Sequence, residues 1–237
     1  MKILILVMSC DIKEYPKLIA KQKETWDSIH HPHVHTIYYY SSHTTKLVKQ
    51  RLNIDIEEGH GYFYIKTILA FEKLLELDWT YLFKTDNSAY VNKEVLYETM
   101  GPRPKKNYYG GHLYQTTYTG TDPFLWGEGI MLSRDIVEYL VSEYRKSKII
   151  RSGVEDVHIG MILKEKEWFG KDHFKWDTSL TIPSFYPYKE VIKSHVYRCK
   201  NDEDKDNVQD QLLAMQTIHN YIINGKTDHS IITQKET

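Results

Sequence analysis

Two acidic clusters stand where an α/β protein would place a reacting group. Asp86-Asn87-Ser88 directly follows the β-favouring run at residues 80–85, and open α/β sheets bind their ligands outside the carboxyl ends of the strands. A carboxylate at such an end can hold a hard divalent cation, which in turn neutralises a diphosphate leaving group. The same three residue types also close a strand as an ordinary turn. Glu155-Asp156 opens a helical stretch at residues 154–164. A carboxylate there can take the proton from an attacking alcohol, or can simply complement the positive end of the helix. Ser9-Cys10-Asp11 forms a third polar cluster just past the first strand. The first and third clusters together fit a nucleotide held across the sheet edge, with its phosphates near Asp86.

The elements that must position these groups alternate along the chain. Residues 3–8 (ILILVM) are a continuous apolar run, as expected for a strand buried on both faces. Pro16 suits the start of a helix that runs over residues 17–26 with Leu18, Ile19 and Trp26 inward. Residues 31–42 read as a second strand. Residues 62–77 carry the apolar stripe Tyr62, Ile65, Ile68, Leu69, Phe71 and Leu75 of a helix. A basic turn at 101–107 precedes a strand and loop reaching Asp122-Pro123. Ser133 caps a helix with Ile136, Val137, Leu140, Val141 and Tyr144 inward. Residues 171–197 are aromatic and irregular, 201–206 (NDEDKD) are a solvated charge run, and 207–224 form a closing helix stopped by Gly225. This alternation, with no repeat and no linker, predicts one α/β/α sandwich around a mostly parallel sheet, with a Rossmann-like nucleotide-binding half.

Composition narrows the function classes. With 237 residues, 31 Lys plus Arg against 32 Asp plus Glu, and a net charge of −1, the chain is no nucleic-acid packaging protein; 41% hydrophobic and 27% charged residues are those of a globular domain. The N-terminal apolar run is too short to span a membrane and lacks a cleavage site, so a cytoplasmic location is expected. Cys10 and Cys199 make at most one bridge and are read as free thiols.

The order of these segments resembles the Fringe-like β-1,3-glycosyltransferases of glycosyltransferase family 31. Three motifs carry the likeness: Lys84-Thr85-Asp86-Asn87-Ser88-Ala89-Tyr90-Val91-Asn92 in place of an acidic triplet and its sequel, Gly127-Glu128-Gly129-Ile130-Met131-Leu132-Ser133 in place of a Gly-rich segment, and Glu155-Asp156-Val157-His158-Ile159-Gly160 in place of an E-D-V-x-x-G element. The resemblance implies a GT-A-type fold and transfer from a nucleotide sugar, usually a UDP-sugar, with inversion at the anomeric carbon. It makes Asp156 the catalytic base. It makes His195, in Ser194-His195, a metal ligand with Asp86, the metal being manganese or magnesium. Ser9, Cys10, Lys23, Lys66, Lys84, Asp86, Asn87 and Ser88 become donor contacts, and Trp126, Gly127, Glu128 and Glu155 the acceptor side. Residues 1–92 would be mainly the donor half, 93–200 the acceptor half, and 201–237 a charged turn and closing helix.

One departure bears on the metal. Ser88 stands where the family has a third aspartate and Asn87 stands before it, so only Asp86 keeps its charge, which puts metal dependence in doubt. Animal members carry a membrane anchor, whereas this sequence begins almost on its first strand, so a bacterial or viral enzyme is expected. The expected acceptor is a glycan or glycoconjugate, with the 19 tyrosines as stacking surface. The cations from Arg145 to Arg151, with Arg103, Lys105 and Lys106, instead suit phosphates and a hydroxymethylated DNA base. Two further readings stay open: an inactive nucleotide-sugar-binding protein, and a metal-dependent hydrolase built from Asp86, Asp156 and His195. The closing helix fits a monomer or a homodimer.

Overall fold

The computed structural model describes residues 1–114, 124–147, 154–169, 175–177, 180, 194–200 and 207–224. Lys148, Arg151, Asp122-Pro123, the charge run at 201–206 and Gly225 lie outside the described residues.

One sheet crosses the molecule. Its strands are β1 (Ile3–Met8), β2 (Val34–Ser42), β3 (Lys46–Val48), β4 (Arg51–Asp55), β5 (Tyr81–Asp86), β7 (Tyr108–Tyr114), β8 (Phe124–Ser133) and β9 (Lys175–Asp177), in the order β3-β4-β2-β1-β5-β8-β7-β9. The pairs β2–β4, β1–β2, β1–β5 and β7–β9 are parallel; β8 runs antiparallel to both its neighbours. A small antiparallel pair, β6 (Ala89–Val91) with β10 (Val196–Arg198), follows the end of β5. Helices α1 (Tyr15–Glu24), α2 (Phe63–Leu74), α3 (Lys93–Met100), α4 (Arg134–Ser147), α5 (Glu155–Phe169) and α6 (Val208–Asn224) complete the fold.

Alternation along the strands divides the core in two. Ile3, Ile5, Val7, Tyr81 and Phe83 pack with Leu18 of α1 and Met215 and Ile218 of α6. Leu4, Leu6 and Leu82 pack on the other face with Ile68 and Phe71 of α2 and Ile136 and Leu140 of α4. Each such side chain contributes roughly 1.5–3 kcal/mol on burial, which explains why strands covered on both faces read as unbroken apolar runs. The mostly parallel α/β sandwich expected from the alternation is the one observed. The sheet draws strands from both sides of residue 92, and α6 lies against α1 of its own domain.

Several local features go beyond the sequence reading. The glycine-rich segment at 127–129 lies within β8, where the register with β5 has ended at Ile130 and the register with β7 is interrupted between Gly111 and Leu113. Residues 46–55 form two strands, with Leu52 and Ile54 buried, and 93–100 a helix whose first turn is capped by Asn92, its side-chain oxygen accepting from the Val95 N–H at 3.3 Å. The tyrosines are mostly core: Tyr38, Tyr39, Tyr64, Tyr81, Tyr90, Tyr109 and Tyr197 are all buried, and Tyr62 and Tyr114 are the exposed ones among the described residues. Among the described residues no helix is long and apolar enough to cross a membrane, and Cys10 and Cys199 are free thiols.

Candidate active site

β8 is longer than its neighbour, and this builds the site. Lys84 of β5 is opposite Ile130, so residues 124–128 run on past the end of β5 alongside the Asp86 turn; the Thr85 hydroxyl donates to the Glu128 carbonyl at 2.6 Å. Strand alternation then sends Gly127 and Glu128 to opposite sides.

On the first side, Gly127 meets the start of α5. Its N–H donates to Asp156 Oδ2 at 2.9 Å, while the Val157 N–H donates to Oδ1 at 2.7 Å. Lys84 Nζ donates to the Gly127 carbonyl at 2.9 Å and pairs with Glu155. A Cβ on residue 127 would stand 3.0 Å from Asp156 Oδ2, 3.1 Å from Lys84 Nζ and 3.2 Å from Glu155 Oε1. Only a glycine leaves room for all three. Asp156 is 7% exposed. Burial, then the Glu155 carboxylate, raises its pKa to about 6, while the Lys84 ammonium and the two N–H groups hold it from going higher. A carboxyl group poised near 6 is a competent general base at neutral pH.

On the second side, Glu128 pairs with Arg198 of β10 at 2.7 Å, and the guanidinium lies 4.5 Å from the centre of the Trp126 ring. Glu128 Oε2 is buried without a hydrogen-bond partner among the described residues. Burial first, then the Asp86 carboxylate, raises the Glu128 pKa, against the pull of Arg198. Asp86 itself is half-buried. Its Oδ1 accepts from the Ser88 N–H at 2.8 Å and the Ser88 hydroxyl at 2.6 Å, which leaves Oδ2 without a hydrogen bond among the described residues. Asn87 is half-buried beside it. Gln22 of α1 secures the turn, donating to the Asp86 and Ala89 carbonyls at 3.0 and 2.9 Å.

The remaining expected site residues divide. Ser9 and Cys10 stand at the end of β1 beside Lys66, whose ammonium donates to the Ser9 carbonyl at 2.8 Å and to Glu58 at 2.9 Å; burial raises the Cys10 thiol. Lys66 and Lys84 are both buried and tied to a carboxylate, so neither presents an open ammonium to a phosphate. Lys23 is exposed, with its ammonium 4.9 Å from the Tyr38 ring centre. His195 is buried edge-on to Phe83, and its carbonyl accepts from the Asn92 N–H at 2.9 Å. Burial, then the nearby Arg103 charge, lowers its pKa to about 4. Arg198 was not legible in advance: Tyr-Arg-Cys-Lys has no motif, and only the pairing of β10 with β6 brings it to the site.

The donor set fits a divalent cation in one way. Asp86 can offer Oδ2 to a cation whose other ligands are phosphate oxygens and water, the manner in which small hard cations bind with one or two carboxylates. His195 fits less well, since the charge acting on it is Arg103's. Among the described residues no three His, Cys, Asp or Glu side chains group to hold a metal.

The fold and the polar edge define a single-domain α/β sandwich of GT-A type, with its acidic residues gathered where β8 overruns β5. No protein-family model and no curated protein matches the sequence. A solved structure does match the fold: the crystal structure of a glycosyltransferase involved in the glycosylation of the major capsid of PBCV-1, with 12% identity and a TM-score of 0.50 over 91% of this chain and 99% of that one. The chain thus has a glycosyltransferase fold.

Proposed function

We propose that the protein is an inverting glycosyltransferase that moves a sugar from a nucleotide sugar, a UDP-sugar in the first instance, to a hydroxyl of a glycan or glycoconjugate. The observation that carries this reading is Asp156: a carboxylate held by two backbone N–H groups at the mouth of α5, with its pKa raised to about 6, one strand away from the Asp86 turn. The solved glycosyltransferase of the same fold supports glycosyl transfer in general, and the order of the three motifs is what suggests the Fringe-like form of the reaction.

In this reading Asp156 takes the acceptor proton as the hydroxyl oxygen forms its bond to the anomeric carbon. The bond from that carbon to the diphosphate oxygen breaks with inversion, and the nucleoside diphosphate departs with the electron pair. General-base assistance contributes ~10²–10⁴-fold, or roughly 3–5 kcal/mol. A divalent cation held by Asp86 and the diphosphate would supply charge neutralisation for the leaving group. Ser9 and Cys10, past the end of β1, suit the nucleoside end of the donor. Gly127 and Lys84 position the base and Glu155 keeps Lys84 neutralised, so these three act through Asp156.

The test is release of nucleoside diphosphate across a panel of nucleotide sugars, with glycans as acceptors. Asp156→Ala is expected to keep donor affinity and lose transfer by at least ~10²-fold. Near wild-type transfer would remove the base assignment, and donor binding without transfer in the wild type would favour an inactive binding protein.

A further inference from the structure

β7 and β8 carry an aromatic group on the segment that overruns β5. A bulge between Gly111 and Leu113 breaks the pairing of the hairpin, and bulges re-aim side chains next to functional sites. His112 here meets Trp126, with ring centres 5.7 Å apart; Tyr114 lies 5.4 Å from Trp126 at 31° and 5.4 Å from Phe124. Trp126 is fixed from another direction by the Arg198 guanidinium. Tyr114 is 39% exposed, whereas most of the described tyrosines are interior. Trp126 and Glu128 share a side of β8 and both touch Arg198, so the buried, unpartnered Glu128 Oε2 belongs to the same neighbourhood. The adjacent residue, Gly127, is the one that holds Asp156.

An exposed ring backed by a braced indole, beside a carboxylate oxygen lacking a donor, is what the apolar face and hydroxyl edge of a sugar ring require. The cations suited to a nucleic-acid acceptor are elsewhere occupied: Arg103 pairs with Asp177, Arg145 with Glu72 and Lys146 with Glu143. Lys105 and Lys106 precede β7 and so sit at the end of that strand opposite Tyr114.

We infer that Tyr114, Trp126 and Glu128 form the acceptor subsite and that the acceptor is an uncharged saccharide whose pyranose ring stacks on Tyr114 and donates a hydroxyl to Glu128. This assignment rests on the glycosyltransferase reading, which takes Asp156, held by the adjacent Gly127, as the base.

Saturation-transfer NMR on the full chain, in the presence of UDP, tests it with the methyl glycosides of glucose, galactose, mannose and xylose and with an oligonucleotide containing hydroxymethylcytosine. The wild type is expected to bind at least one glycoside through its ring protons. Tyr114→Ala should weaken that binding about tenfold, Tyr114→Phe should retain it, and Glu128→Gln should weaken it without changing UDP affinity. Equal glycoside binding by Tyr114→Ala, no glycoside binding by the wild type, or binding of the oligonucleotide alone each overturns the assignment. Nucleotide-sugar affinity, measured separately by calorimetry, distinguishes the two levels: no donor binding refutes the transferase reading, whereas donor binding with Tyr114-independent glycoside binding refutes only the subsite.

Discussion

Replacing Gly127 by alanine adds one methyl group at the point where three charged side chains converge. The new Cβ would stand 3.0 Å from Asp156 Oδ2, 3.1 Å from Lys84 Nζ and 3.2 Å from Glu155 Oε1, each tighter than an ordinary contact of about 3.5 Å. Lys84 and Glu155 are both buried and cannot swing into solvent, so the strain falls on the Gly127–Asp156 hydrogen bond and on the start of α5. Inserting a methylene into a packed interior costs roughly 1–3 kcal/mol. For a chain of this size that lowers Tm by roughly 3–10 °C. Gly61 provides the control, because a Cβ there meets nothing within 4 Å; Gly61→Ala should leave Tm unchanged or raise it slightly. Urea unfolding and differential scanning calorimetry of the two variants, with transfer measured below the unfolding range, give the comparison. Transfer by Gly127→Ala should fall further than stability does, because the base moves. A variant with wild-type Tm and wild-type transfer would show that residue 127 does not hold Asp156.

The pH profile of kcat/KM is expected to rise through about pH 6 and then level, because Asp156 acts only after losing its proton and its pKa is raised to about 6; a flat profile from pH 5 to 8 refutes the assignment. Stability should show the opposite hand of His195. Its folded pKa of about 4 lies below the unfolded value, so the unfolded chain binds the extra proton and stability is lost as pH falls, by roughly 2 kcal/mol between pH 7 and pH 5; His195→Asn should flatten that dependence in urea titrations. Lys84→Met leaves Glu155 buried without its cation and should cost about 3–5 kcal/mol, and adding Glu155→Leu should recover part of it, as read by denaturant midpoints. Asp86→Ala should weaken nucleotide-sugar binding when manganese is present, measured by calorimetry; equal affinity with and without the ion would take Asp86 out of the donor site.

The central strands were legible because burial on both faces writes an unbroken apolar run, as in residues 3–8, and α2 was legible from its stripe. The same logic put polar residues at strand ends and so made Asp86 a candidate, while Asp156 was singled out by the resemblance of its Glu-Asp-Val segment. What escaped was whatever depends on distant pairing. Glycines in a single sequence say little about pairing, and nothing local shows that residues 127–129 lie within a strand that runs on past β5. Arg198 and Tyr114 reach the site through β10 and the bulged hairpin, neither of which has a local signature. The roles of Lys66 and Lys84 were obscured for a related reason: a lysine beside a strand end reads as a phosphate ligand until Glu58 and Glu155 are seen against it.

Consecutive residues of one strand serve two different chemistries here, hydrogen on one side and carboxylate on the other. Slippage by a single position would deliver Glu128 into the acidic pocket of α5 and leave the arginine facing a bare backbone, so the pairing frame of β8 would itself be a determinant of the proposed activity. Insertions or deletions within β8 should therefore be ruinous even where every proposed site residue is retained.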